Sequence, residues 1–193
     1  MGIEEQPSLI HWNYFLALEE DIEHLARYVE FTTSNFSTYS LEIAHIYLAA
    51  CSEVDVVAKQ LSRKIDPDSN PRNIDDYRRI IDSAIPSIKN EKVTLHRYGL
   101  DLNPWDNWNE EQSPLWWRSH NAVKHERHNN FDKANLKNVL NAMSGLFLLI
   151  LHYYKDLPVC DRIEPPPSIF TPPAEVGIIC PTHGGRMIMA FDV

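Results

Sequence analysis

Thirteen prolines and six glycines are spread so unevenly that they divide the chain before any other feature is considered. Seven of the prolines follow residue 157, and Gly177, Gly184 and Gly185 also lie near the C-terminus. Helix breakers are scarce before that point, whereas a proline-rich stretch cannot continue a helix. A boundary is expected near Leu157, with a compact body at 1–157 and a Pro-rich tail at 158–193.

Within the body the apolar residues recur at intervals of three and four, the period of a helix with one buried face. Leu9, Trp12, Phe15, Leu16, Ile22, Leu25 and Val29 mark a helix over residues 8–33, with Ser8 as N-cap. Leu41, Ala44, Leu48, Cys51, Asp55 and Ala58 trace a second over 40–64, stopped by Pro67 and Pro71. A third starts at Asn73 and runs to Pro86. Residues 92–98 read as a short extended piece closed by Gly99, followed by an aromatic loop with Trp105 and Trp108. Ser113-Pro114 opens a fourth helix, with Ser as cap and Pro in the first turn, running to about residue 126. Asp132 caps a long fifth helix to about residue 156, where Ala134, Ala142 and Gly145 permit close packing. The expected fold is all-α: an up-and-down bundle of about five helices. In the tail, residues 176–180 and 186–191 flank Pro-Thr-His-Gly-Gly and suggest a short β-hairpin.

Composition limits the functional classes. The 193 residues suit one domain with an appendage and are enough to bury a core without disulfides or a structural metal. A net charge of −9 excludes a uniformly basic nucleic-acid coat protein. The charge is uneven: residues 1–60 hold 10 acids and 2 bases, while 118–193 hold 7 acids and 8 bases. In that last part Arg118, Lys124, Arg127, Lys133 and Lys137 are opposed only by Glu126 and Asp132, and His120, His125 and His128 lie among them. This is the stretch to which a polyanion would be drawn. The odd count of three cysteines, the acidic N-terminus without an apolar signal core, and apolar runs too short to span a bilayer together point to a cytoplasmic protein off the membrane.

Phosphate-binding glycine loops and the usual hydrolase and metalloprotease motifs are absent from the sequence. The remaining feature is Trp116-Trp117-Arg118-Ser119-His120-Asn121-Ala122-Val123-Lys124-His125-Glu126-Arg127. At about 100° per residue, Arg118 and His125 fall within about 20° of each other on a helix, with Asn121 about 60° away. One face then presents a fixed cation, an amide and an imidazole. Histidine titrates near neutrality and moves protons. Arginine grips phosphate oxygens in a fork and stabilises charge developing at phosphorus. RNA carries its own nucleophile in the 2′-hydroxyl, so proton transfer and an oxyanion clamp suffice. The plain alternative is an exposed helical face whose Arg and His make only surface hydrogen bonds.

The run W-W-R-S-H-N-A-V-K-H-E-R, with Phe131-Asp132-Lys133-Ala134-Asn135-Leu136 after it, resembles the HEPN superfamily. Members are small helical bundles with an R-x(4–6)-H motif, and many are metal-independent RNases of toxin and phage-defence systems. Asn121, Lys124, His125 and Arg127 also resemble the N-x-x-K-H-x-R of a bacterial subset. The spacing of six is at the long limit, and Ser119 stands where members often carry Asn, Asp or His. The resemblance covers residues 105–156.

It implies His125 as general acid/base, Arg118 as phosphate clamp and Asn121 as an orienting group. Lys124, Arg127, His128 and His120 would contact flanking RNA, single-stranded or looped. Seven residues separate Arg118 and His125 by roughly 10 Å along one helix, too far for one phosphate to meet both easily. An antiparallel two-fold dimer would join Arg118 of one chain to His125 of the other, as the family commonly does. A homodimer is expected, with a protein antitoxin or partner as a further possibility and no cofactor. The competing class is a non-catalytic interaction module binding a protein or nucleotide.

Other residues carry duller expectations. Trp105, Trp108, Trp116 and Trp117 read as core and loop anchors before they read as base-stacking platforms. The spacing of His120, His125 and His128 does not bring all three to one face, so no metal is expected there. Cys160, Cys180 and His183 make only three ligands in the tail. Cys51 reads as a small buried apolar residue, and His45 and His152 as core or rim residues.

Overall fold

The computed structural model describes residues 8–155, 163–181 and 187–190. Five α-helices dominate: α1 (Ile10–Leu25), α2 (Leu41–Ile65), α3 (Ile74–Ala84), α4 (Leu115–Asn130) and α5 (Leu136–Tyr154). The strands are β1 (Val93–Leu95) and β2 (Leu100–Leu102), which pair antiparallel, and β3 (Ile178–Pro181) and β4 (Met187–Ala190), which also pair antiparallel. No described helix is long and apolar enough to cross a membrane.

Core position follows from apolar content. From Leu146 to Leu151 every residue of α5 is fully buried, as expected of a helix that is hydrophobic all round. It packs on α2, α4 and α1. Trp12 and Phe15 of α1 stack, and Phe15 stacks again on Phe147 with centroids 5.0 Å apart. Gly145 lets α5 approach the indoles closely: a Cβ there would lie 3.1 Å from Trp116 and 3.3 Å from Trp105.

α2 and α3 start where expected, each behind a capping side chain. Ser40 accepts from the Ile43 amide, and Asn73 accepts from Asp75 and Asp76. Four other helix ends differ. Ser8 does not cap α1: the N-cap is Leu9, without a side-chain bond, and the Ser8 hydroxyl accepts from the Asn13 side chain. α1 stops at Leu25, not near residue 33. Residues 32–35 are Thr-Thr-Ser-Asn, whose side chains compete for local bonds: Thr32 and Ser34 pair at 2.8 Å, and Asn35 donates to the Glu30 carbonyl. The turn also carries Phe31 into the core against Tyr98. Ser113 does not cap α4. Its hydroxyl donates to Asp75, while the carboxamide oxygen of Asn107 accepts from the Leu115 amide. The cap of α5 is Asn135, not Asp132, whose residue lies in a single 3₁₀ turn.

The fold is mostly helical, as expected, with β1 and β2 added as a small two-stranded sheet. The extended piece at residues 92–98 has a partner, because Gly99 takes a left-handed φ of +61° and turns the chain back on itself. A further strand-like contact comes from after the boundary placed near Leu157, which itself lies outside the described residues. Thr94 and Thr171 exchange backbone hydrogen bonds of 3.0 and 2.9 Å. Ile163, Ile169, Phe170 and Val176 join the same core as the helices. The buried carboxylate of Glu19 holds this segment by accepting from the amides of Ser168, Ile169 and Phe170. Trp12 donates to the Pro165 carbonyl.

Candidate functional site

α4 is fixed from its buried side. Trp116, Trp117, His120 and Val123 form one face and are all buried. Trp116 donates to the Pro104 carbonyl at 2.7 Å, and the Tyr47 hydroxyl on α2 donates to the Trp116 carbonyl. Burial raises the Tyr47 phenol far above its ordinary range, so it stays a protonated donor. Trp105 and Trp108 are also buried, so all four indoles are core and loop anchors.

The opposite face of α4 is open to solvent. Arg118, Asn121, Lys124, His125, Arg127 and His128 are all exposed. Among the described residues none of these six side chains is engaged in a hydrogen bond or ion pair. The helix is regular from Leu115 to His125 and breaks at Glu126, where φ is −139° and ψ is 54°. The shared face of Arg118 and His125 therefore lies in the unbroken part. Arg127 and His128 follow the kink, so their direction cannot be read from 100° steps.

The kink helps to shape a groove of about 670 Å³ lined by Leu41, Leu48, Lys124, His125, Arg127 and His128. Val123 and Phe131 complete its wall. Three of the expected RNA-contacting residues, Lys124, Arg127 and His128, are thus brought together with the expected acid/base, His125. Arg118 is not among the lining residues; it lies roughly 10 Å along the helix axis from His125.

His120 is the expected RNA contact that the structure places elsewhere. It is 6% exposed, tilted against Trp117 with centroids 5.2 Å apart and edge-on to Tyr47. Its pKa is lowered to about 4, first by burial and then by the Lys124 ammonium, with Asp55 opposing. At neutral pH it is an uncharged imidazole, and its Nδ1 has no hydrogen-bond partner. It lines a second cleft, of about 790 Å³, between α2, the start of α3 and α4. Asp55, Arg72, Trp117, Asn121 and Lys124 share that cleft. The sequence pattern does not single out Asp55 or Arg72 as site residues; they come from two other elements. Lys124 lines both cavities and joins them.

Among the described residues no group of three or more His, Cys, Asp or Glu side chains is placed to hold a metal ion. Cys160 and His183 lie outside the described residues. Cys51 is fully buried and its thiol pKa is pushed well up by that burial. His152 is buried and contacts Glu91 at 2.8 Å, whereas His45 is exposed rather than part of the core or rim.

Comparison of the chain with models of known families, with curated proteins and with solved structures finds no match.

Proposed function

We propose that this protein is a metal-independent endoribonuclease of HEPN type, an up-and-down helical bundle acting as a homodimer in the cytoplasm. The observation that carries the reading is the position of Arg118 and His125. Both are exposed on one face of the regular part of α4, with no side-chain partner among the described residues. An exposed guanidinium and imidazole without side-chain partners are free to meet a phosphodiester.

In this reading Arg118 neutralises the phosphate and the charge that develops at phosphorus. His125 moves the proton released as the RNA 2′-oxygen attacks. A bond forms between the 2′-oxygen and phosphorus, and the bond to the 5′-oxygen breaks. That oxygen leaves as a protonated hydroxyl, and a 2′,3′-cyclic phosphate remains. Asn121 orients the phosphate or His125. Lys124, Arg127 and His128 hold flanking phosphates along the groove.

The axial separation of Arg118 and His125 calls for a second copy. Leu115, 53% exposed, lies near Arg118 on the same face, and Leu41, 65% exposed, borders the His125 groove. Apolar surface beside these two side chains suits a two-fold contact. The resemblance sets such an activity in a toxin or phage-defence effector, restrained by a protein antitoxin.

The test is cleavage of varied single-stranded and stem-loop RNAs by purified protein in EDTA, with the ends analysed. The reading requires cutting that persists without divalent metal and leaves 2′,3′-cyclic phosphates. A second reading, a non-catalytic interaction module, draws on the acidic N-terminal part of the chain, which repels RNA away from α4. It takes over if no RNA is cut with or without metal.

A further inference from the structure

The cleft on the other side of Lys124 shares only Asn121 and Lys124 with the proposed phosphodiester site, and its walls are diverse and built from three separate elements. α2 contributes Asp55, the loop before α3 contributes Arg72, and α4 contributes Trp117, His120, Asn121 and Lys124. At about 790 Å³ it is ample for a nucleotide. The mixed lining is informative. A purely apolar guest would meet neither the free acceptor sites of Asp55 nor the amide of Asn121, and a bare anion would meet the Asp55 carboxylate. A guest with an aromatic body, N–H donors at one end and a negative charge at the other satisfies all of them.

We infer that this cleft is a base-specificity pocket that receives a guanine of the RNA strand, next to the phosphate cut at His125. This deepens the ribonuclease reading and rests on it. Asp55 accepts one hydrogen bond, from the Tyr77 hydroxyl at 3.0 Å, which leaves acceptor sites on its carboxylate. Among the four bases guanine alone offers two adjacent N–H donors, N1–H and N2–H, to a carboxylate. Adenine and cytosine place a ring acceptor beside their amino group, and uracil flanks its one N–H with carbonyls. Trp117 and the uncharged ring of His120 form the aromatic wall, and Asn121 is on hand for the guanine O6 or N7. Lys124, shared by both cavities, holds the phosphate that links the pocketed nucleotide to the strand in the His125 groove. The same residue thereby sets the register between base recognition and the cut.

The test separates binding from cleavage. The full-length His125→Ala protein is titrated by anisotropy with fluorescent RNA eight-mers: all uridine, and the same run with a single central G, A or C. The G-containing strand should bind about 10-fold more tightly than the others, within the range for a bidentate base contact. Asp55→Asn, which retains an oxygen for Tyr77, should bring it down to the affinity of the uridine run. Ser52→Trp, at an exposed lining position, should do the same by filling the cleft. Equal binding of all four strands, binding of none, or a G preference that survives both substitutions would overturn the pocket. Wild-type protein that cuts RNA without regard to G would keep the ribonuclease reading and sink this one. A G preference in a protein that cuts nothing would do the reverse.

Discussion

His120 and His125 stand on opposite sides of one helix, five residues and about 140° apart. The first is 6% exposed and packed on Trp117; the second is open to solvent in a cationic groove. Their chemistries divide accordingly. Burial and Lys124 keep His120 neutral, so it cannot serve as an imidazolium acid near pH 7. In the proposed reaction, proton transfer falls to His125.

Replacing either member of the proposed site tests that division. His125→Ala and Arg118→Ala should each cost about 10²–10⁴ in cleavage rate. Because both side chains are exposed and unpaired among the described residues, stability should change by less than about 0.5 kcal/mol. Urea melts beside cleavage assays check both parts. A large loss of stability in either variant would show that the residue is structural.

His120 makes the fold sensitive to acid. Its folded pKa, about 4, lies below the ordinary value of 6.5, so the unfolded chain binds more protons between those limits. Stability is full above about pH 6.5 and falls as the pH drops toward 4. The contribution lost is on the order of 2 kcal/mol, since a tenfold change in proton affinity is worth about 1.4 kcal/mol and solvent screens part of the effect. Urea midpoints at pH 7 and pH 5 should differ less in His120→Gln than in wild type. Equal pH dependence in the two would contradict the assignment.

Legibility in the sequence followed local physics. The buried and open faces of α4 were readable, because they depend only on the 100° step and on where Trp116, Trp117 and Val123 fall. The starts of α2 and α3 were readable from where the apolar period begins after Ser40 and Asn73. The early end of α1 was not, because it depends on Phe31 reaching Tyr98, residues far apart in the chain. The cap of α4 was missed because Asn107 reaches it from eight residues back, and that of α5 because the 3₁₀ turn at Phe131–Lys133 delays the helix past Asp132 to Asn135. β2 was missed because three residues, Leu100–Leu102, carry too little period to read, and only the left-handed Gly99 brings them to β1. Burial of His120, expected as an RNA contact, was missed although the residue falls beside the Trp face, and the cleft it lines needs Asp55 and Arg72 from other elements.

Glu19 secures the stretch around Ile169 to α1. Its carboxylate pKa is raised by burial, against the lowering pull of three backbone amides. Glu19→Ala would strand the amides of Ser168, Ile169 and Phe170 and should destabilise the fold by about 3 kcal/mol. Amide hydrogen exchange should show the loss first at 168–170 and at Thr94, whose backbone bonds to Thr171 sit next to the anchored segment. Unchanged protection there would refute the anchoring role.

Gly145 is tested by bulk. A Cβ at that position already meets Trp116 at 3.1 Å, so Gly145→Val should overpack the core by about 1–3 kcal/mol. Since Trp116 belongs to α4, cleavage should fall as well, by displacement of the Arg118–His125 face. A thermal melt and a cleavage assay on the same sample check this; unchanged values in both would mean that the indoles yield without cost.

The composite site is tested most directly by mixing two inactive proteins. Arg118→Ala and His125→Ala, each dead alone, are unfolded together, refolded and assayed on RNA in EDTA. If each site takes Arg118 from one protomer and His125 from the other, half of the dimers regain one intact site, and activity should return to about a quarter of wild type. Full inactivity of the mixture, with heterodimers demonstrably present and the wild type active after the same treatment, would contradict the account.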